Sequence, residues 1–184
     1  LNIVFATPGY PPSTGGVETH VHEIATRLVA RDHGVTVVTG DARRVDTPRR
    51  ERREGVRVVR CRGIAPNDAF HLAPGVAQAV RQVDADIVHA HNYHALVLPF
   101  AALGAWNQPL VVTPHYHAGS ASSMRDRLLS VYHPVGRQIL RSADAVVAVS
   151  EWEQDRLRED FSVDARVIPN GIDIVRFAGA EPYE

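Results

Sequence analysis

Seven short runs dominated by valine and isoleucine, separated by longer stretches of helical period, constrain this chain more than any other feature. They are Asn2–Ala6, Val35–Thr39, Val56–Arg60, Asp86–Ala90, Leu110–Thr113, Ala145–Ser150 and Arg166–Ile168. Most are apolar throughout rather than alternating, which is the pattern of strands covered on both faces. The clearest helix is Val17–Arg31, where Val17, Val21, Ile24, Ala25, Leu28 and Val29 form one inward stripe. Further helices are expected at Pro74–Val83, Pro99–Trp106, Ser123–Arg141 (broken by Pro134) and Glu151–Glu159. Pro74 and Pro99 suit a first helical turn, where the missing N–H has no intrahelical partner to lose. Strands alternating with helices are joined by right-handed crossovers. The expected fold is therefore α/β: a doubly wound, mostly parallel, Rossmann-like sheet of about six or seven strands.

Composition narrows the function. With 184 residues the chain has room for one full domain, and its net charge of −1 supplies no bulk field for drawing in nucleic acid. Its single cysteine, Cys61, cannot form an internal disulfide, so the fold rests on its core, as suits a reducing compartment. No apolar run is long enough to cross a membrane, and Leu1–Phe5 enters the first strand without a charged leader, so neither a membrane span nor a signal peptide is expected. All 20 basic residues are arginine. We read this mainly as coding bias, but it excludes lysine chemistry within this chain. The stretch Asp41–Glu54, with its cluster of arginines, reads as a solvated loop rather than an anion-binding arm.

Chemistry is expected where strands end. The first strand leads through Thr7-Pro8-Gly9-Tyr10-Pro11-Pro12-Ser13-Thr14 to Gly15-Gly16 and then directly into a helix. Two glycines at a helix start let backbone N–H groups approach a phosphate or a sugar closely. Neither G-x-G-x-x-G nor G-K-[ST] is present, so this is not a dinucleotide or phosphate-loop fingerprint. Histidines cluster at other strand ends: His89 and His91 with Asn92 and Tyr93, then His115 and His117. His89 and His91 point the same way on a strand, whereas His20 and His22 diverge on a helix and cannot chelate together. With no cysteine partner and no H-E-x-x-H, no metal site is expected; a polar rim of His91, Asn92, His115 and His117 is the simpler reading. Glu151 and Glu159 mimic a paired-glutamate sugar-nucleotide motif in spacing only; Glu151 suits a helix N-terminus and Glu159 a solvated surface. Asn170-Gly171 marks a turn, after which residues 170–184 read as the start of a connection beyond a domain spanning 1–169.

Seven weak motifs occur in order: Pro11-Pro12 to Gly15-Gly16-Val17-Glu18, His33-Gly34-Val35-Thr36-Val37-Val38 and Asp86-Ile87-Val88-His89-Ala90-His91, then Thr113-Pro114-His115, Arg141-Ser142-Ala143-Asp144, Val149-Ser150 and Val167–Asp173. Together they resemble the N-terminal domain of retaining glycosyltransferases of family 4, whose GT-B fold has two facing doubly wound domains, the family of glycogen synthases and mannosyltransferases. The resemblance implies transfer of a sugar from a UDP- or GDP-sugar to an acceptor, without a metal or other cofactor. It implies that Gly15 and Gly16 approach the donor, that His115 is the catalytic-site histidine beside the transferred sugar, and that Glu18, Asn92, Tyr93 and Arg141 face the acceptor. The family's diphosphate-binding cations and paired glutamates belong to a C-terminal domain, so this chain is expected to be inactive alone. It also implies a cytoplasmic enzyme, with peripheral contact at the inner membrane face as an open option. Two other classes remain: a stand-alone sugar- or acceptor-binding module, and a different Rossmann-like enzyme, which would want the missing glycine fingerprint.

Overall fold

The first strand, β1 (Asn2–Thr7), explains the architecture. Its residues Ile3 to Thr7 are all buried, and Ile3 to Ala6 divide alternately between two separate cores. Ile3 and Phe5 join Val35, Val37, Val56 and Val58 under Val21 and Ala25 of α1 (Gly16–Val29). Val4 and Ala6 join Val38, Val88, Ala90 and Val112 on the other face, beneath apolar residues of the remaining helices. A period of two in side-chain direction thus places a hydrophobic layer on each side of one sheet, as a doubly wound fold requires.

The computed structural model describes residues 1–41, 47–64, 71–117 and 123–171. In chain order the remaining elements are β2 (Gly34–Asp41), β3 (Arg50–Arg53), β4 (Val56–Arg62), α2 (Gly75–Arg81), β5 (Ile87–His91), α3 (Val97–Gly104), β6 (Leu110–Thr113), α4 (Ser123–Ser142), β7 (Ala145–Ala148), α5 (Glu151–Phe161) and β8 (Arg166–Val167). Sheet order is β3-β4-β2-β1-β5-β6-β7-β8, parallel except for the antiparallel pair β3–β4. The chain runs outward from β1 in one direction through β2 and β4, then returns to β5 and runs outward in the other. The switch point lies between β1 and β5.

Eight strands are present where six or seven were expected. The additional strand is β3, in the arginine-rich stretch read as a solvated loop; residues 42–46 of that stretch lie outside the described residues. An edge strand needs only one bonded side and one half-buried face, and charges there discourage further pairing, so its composition resembles a loop's. Inward-facing Glu51 pairs at 2.7 Å with the buried Arg60 guanidinium of β4. The helix α4 also differs from expectation, continuing through Pro134. It is held on both sides of the proline: His133 stacks on Phe161 at 4.7 Å, and Tyr132, Ile139 and Leu140 pack on the core. No helix among the described residues is long and apolar enough to cross a membrane.

Candidate active site at the sheet switch point

Register builds this site. His89 and His91 alternate with Val88 and Ala90, so both fall on the α1 face, where their rings lie 5.4 and 5.6 Å from Phe5. His91 ends β5 beside the end of β1, and α1 covers it. His20, one turn into α1, therefore meets His91 on that face with ring centroids 5.6 Å apart. The loop after β6 brings His115 alongside, 5.2 Å from His20 and stacked on His91 at 5.5 Å. His91 Nδ1 and His115 Nε2 are 3.3 Å apart, a hydrogen bond whose donor depends on tautomer. One ring nitrogen from each of His20, His91 and His115 lies within 4.8 Å of the other two.

Burial holds these histidines neutral. It lowers His20, takes His115 down to about 4 and His89 to about 3, and puts His91 well below the ordinary value; neighbouring imidazoles add to the effect on all but His20. At neutral pH the group offers lone pairs and N–H donors, not positive charge. His115 also has φ 47°, in the left-handed region that a side chain enters at a cost of about 1–3 kcal/mol, and such strain concentrates at functional sites. Asn92, closing β5, has φ 73°; its Oδ1 accepts from His94 N at 2.9 Å, a local turn that stabilises the conformation.

Beside the histidines, Gly15 caps α1 with extended backbone (φ 171°) and no side-chain hydrogen bond. Gly15 itself supplies no capping side chain, and the first-turn Glu18 carboxylate lies against it. The two glycines differ. A Cβ on Gly15 would collide with the Glu18 carboxylate, whereas a Cβ on Gly16 would meet nothing within 4 Å. Gly9 also lies against Glu18, where a Cβ would fall 2.5 Å from Oε1. The loop is tied to the sheet through Arg60, which donates to the Pro11 carbonyl at 2.6 Å and the Pro48 carbonyl at 3.1 Å.

The residues singled out from sequence do not all converge. Gly15, Gly16, Asn92 and His115 belong to loops at the C-terminal ends of the strands around the switch point. Glu18 is there too, but buried beneath the glycine loop rather than presented at its surface. Tyr93 is 2% exposed, enclosed by the rings of His94, Tyr116, Tyr132 and Phe161, so it supports the site from inside the core rather than facing an acceptor directly. Arg141 lies at the other end of the molecule. The helix α4 starts after β6 and runs back toward the opposite sheet edge, so its last turn sits near the start of β6, where Asp144 accepts from Leu110 N. His117 is exposed, its ring tilted against that of His94 at 4.1 Å.

Sequence reading missed Glu153. It is 2% exposed; Oε1 accepts from Tyr116 N at 2.6 Å and Oε2 from Val149 N at 2.7 Å, while its own N–H donates to the N-cap Ser150 Oγ. Burial pushes its carboxyl above the usual value, against the two N–H donors, which favour the charged form. Ser150-Glu151-Trp152-Glu153 has the spacing of a capping box, a signal that was available in the sequence.

The glycosyltransferase family 4 model matches residues 14–176. Glycogen synthase of Mycobacterium tuberculosis is 29% identical over 215 residues, covering 99% of this chain and 51% of that protein. Phosphatidyl-myo-inositol mannosyltransferase of Mycolicibacterium smegmatis is 30% identical over 169 residues, covering 90% of this chain and 42% of its own. In structure, the HepE protein of Anabaena, solved in complex with UDP and glucose, superimposes with a TM-score of 0.66 at 20% identity, covering 95% of this chain and 45% of that one. The chain spans about half the length of the curated relatives it matches.

Proposed function

Since the chain belongs to glycosyltransferase family 4, we propose that it is the N-terminal, acceptor-side half of an enzyme moving a sugar from a nucleotide-diphosphate donor to an acceptor. The observation that carries this reading is the placement of His115, strained and neutral, beside the glycine-led start of α1 at the sheet switch point. Such a site suits an uncharged polyol and the near side of a phosphate. Gly16 N–H and its neighbours would donate to a phosphate or sugar oxygen, and His115 would exchange a hydrogen bond with a hydroxyl of the transferred sugar. The structural relative with bound UDP and glucose supports a nucleotide-sugar donor.

Charge decides the division of labour. Departure of the nucleoside diphosphate develops negative charge, and preorganised cations supply the largest stabilising effect. Arg60, the buried cation near the glycine loop, is committed to Pro11, Pro48 and Glu51, and the histidines are neutral. As the family resemblance implies, we assign the diphosphate cations to a C-terminal half, whose closure brings donor and acceptor together. Transfer would retain the anomeric configuration and need no cofactor. The proposed location is the cytoplasm, with peripheral membrane contact through arginines of the 43–53 stretch.

A panel of UDP- and GDP-sugars tests the proposal with the full-length enzyme and with residues 1–184 alone. Transfer by the full-length enzyme, with retained configuration by NMR and none by the isolated chain, is the expected result. Robust turnover by residues 1–184 alone would overturn the half-enzyme reading.

A further inference from the structure

We propose that His20, His91 and His115 form a binding site for a transition-metal dication of the Zn2+ class, contrary to the expectation from sequence that the chain holds no metal. The three residues come from α1, the end of β5 and the loop after β6, so their backbones are positioned by separate elements around the switch point. Each presents a ring nitrogen within 4.8 Å of the other two. In a tetrahedral zinc site with Zn–N bonds of about 2.0–2.1 Å, neighbouring ligand nitrogens are about 3.3–3.4 Å apart. The His91 Nδ1 to His115 Nε2 separation is already 3.3 Å. The remaining nitrogen, on His20, needs only a side-chain adjustment from a half-buried helical position to close the triangle.

His91 is completely buried, and the nitrogen that would ligate is Nδ1, the one already turned to His115. Ligation there makes Nε2 the N–H position and so assigns one tautomer. The ring is held in place by Phe5 and by the rings of His20, His89 and His115 packed around it. The ligand set selects the ion. Three imidazoles suit zinc, cobalt, nickel or copper, whereas magnesium and calcium require oxygen ligands. Burial also keeps the rings neutral, which is the ligating form. His20 and His115 remain partly exposed, so the fourth coordination position opens toward the cleft, as in sites with three protein ligands and an exchangeable fourth.

One corollary rests on the glycosyltransferase reading. A metal held by His115 takes up a ring nitrogen of the residue assigned to the transferred sugar, so micromolar Zn2+ should inhibit transfer competitively with the donor.

The test of the site itself uses no donor or acceptor. Full-length protein stripped with a chelator is titrated with Co2+, and visible absorption is recorded. One equivalent per chain with the intense bands of tetrahedral cobalt, abolished by Zn2+, is expected. His20→Gln, at a half-buried helical position, should weaken binding by at least about 100-fold, more than loss of an outer-shell partner does. His117→Gln, outside the cluster, should leave it unchanged. Should His20→Gln fail to fold by circular dichroism, His115→Asn serves in its place. Absence of cobalt bands at about 1 mM Co2+, far above the range expected of a three-imidazole site, would overturn the site. So would bands that persist in the folded variants. Cobalt binding without inhibition of transfer removes only the corollary, and inactivity of the protein toward every sugar nucleotide leaves the spectroscopic result standing.

Discussion

Glu153 Oε1 accepts the backbone N–H of Tyr116 at 2.6 Å, so a carboxylate at the start of α5 fixes the residue next to His115 across a sequence separation of 37. The second oxygen takes Val149 N at 2.7 Å. One buried side chain thus joins the end of β7 to the loop that carries the candidate catalytic histidine.

Glu153→Gln tests that joint. Glutamine keeps the shape but offers a single acceptor oxygen, so one of the two N–H groups then faces an amide NH2. Loss of a bond to a charged group in a buried site should lower folding stability by about 1.5–3 kcal/mol. Transfer by the folded fraction should also fall, because the left-handed conformation of His115 loses its neighbouring anchor. Urea unfolding and specific activity on the same preparation measure both. A variant within experimental error of the parent in each would remove Glu153 as a positioning residue.

The contrast between Glu153 and the histidine trio shows what the sequence could reveal. The central strands were legible because burial on two faces demands apolar runs; β3 was not, since an edge strand tolerates Arg50-Glu51-Arg52-Arg53. The capping-box spacing of Ser150 and Glu153 was present, but Glu151 and Glu159 drew attention instead. Helical period correctly separated His20 from His22, yet the partner of His20 lay on β5 beneath the helix, a tertiary relation that no local period encodes. Arg141 was assigned to the cleft by resemblance, whereas the direction of α4, readable from strand–helix order, carries it to the far edge. The family itself was legible, because seven motifs in order survive even where each is weak.

Acid should unfold this domain through its histidines. An unfolded histidine titrates near 6.5, whereas burial holds His94 and His115 at about 4, His89 at about 3 and His91 well below its ordinary value. Below pH 6.5 the unfolded chain therefore binds protons that the folded chain refuses, so stability is full above that pH and falls toward the folded values. Each such group removes about 1.4 kcal/mol per pH unit inside its window. Discounting the partly exposed His94 and His115, the loss between pH 7.5 and 5.5 should be on the order of 4 kcal/mol. Urea midpoints at the two pH values, with chelator present, measure it. His89→Gln, which can still bond Thr113, should flatten the slope. Equal midpoints would show that these rings titrate normally.

Arg60 should matter for the glycine loop as well as the sheet. Its guanidinium serves the Pro11 and Pro48 carbonyls and Glu51 from a position where the side chain is 4% exposed. Arg60→Met keeps much of the buried stem but strands a carboxylate and two carbonyls, which should cost about 2–4 kcal/mol. Since Pro11 lies in the loop leading to Gly15, transfer should fall further than the folded fraction does. A loss of stability with normal specific activity would confine Arg60 to a structural role.

Gly15 and Gly16 are adjacent, yet the structure gives them different reasons for lacking a side chain, and alanine at each separates fold from function. Gly15 has extended backbone that any residue can adopt, but its Cβ position is filled by the Glu18 carboxylate. Gly15→Ala must displace the end of the buried Glu18 side chain and should destabilise the domain by about 1–3 kcal/mol. Gly16 opens α1 in helical conformation, and a methyl there meets no protein atom within 4 Å. Alanine is the better helix former, so Gly16→Ala should leave stability unchanged or raise it by up to about 1 kcal/mol. The same methyl projects into the opening where the α1 N–H groups are proposed to meet a phosphate or sugar oxygen. A displacement of that oxygen by about 1 Å can lower the rate about 100-fold. Melting temperature and transfer rate on each full-length variant therefore make opposite predictions: Gly16→Ala stable and inactive, Gly15→Ala destabilised. A Gly16→Ala enzyme that is both stable and fully active would mean that the ligand does not approach α1, and the glycine loop would then have no place in the site.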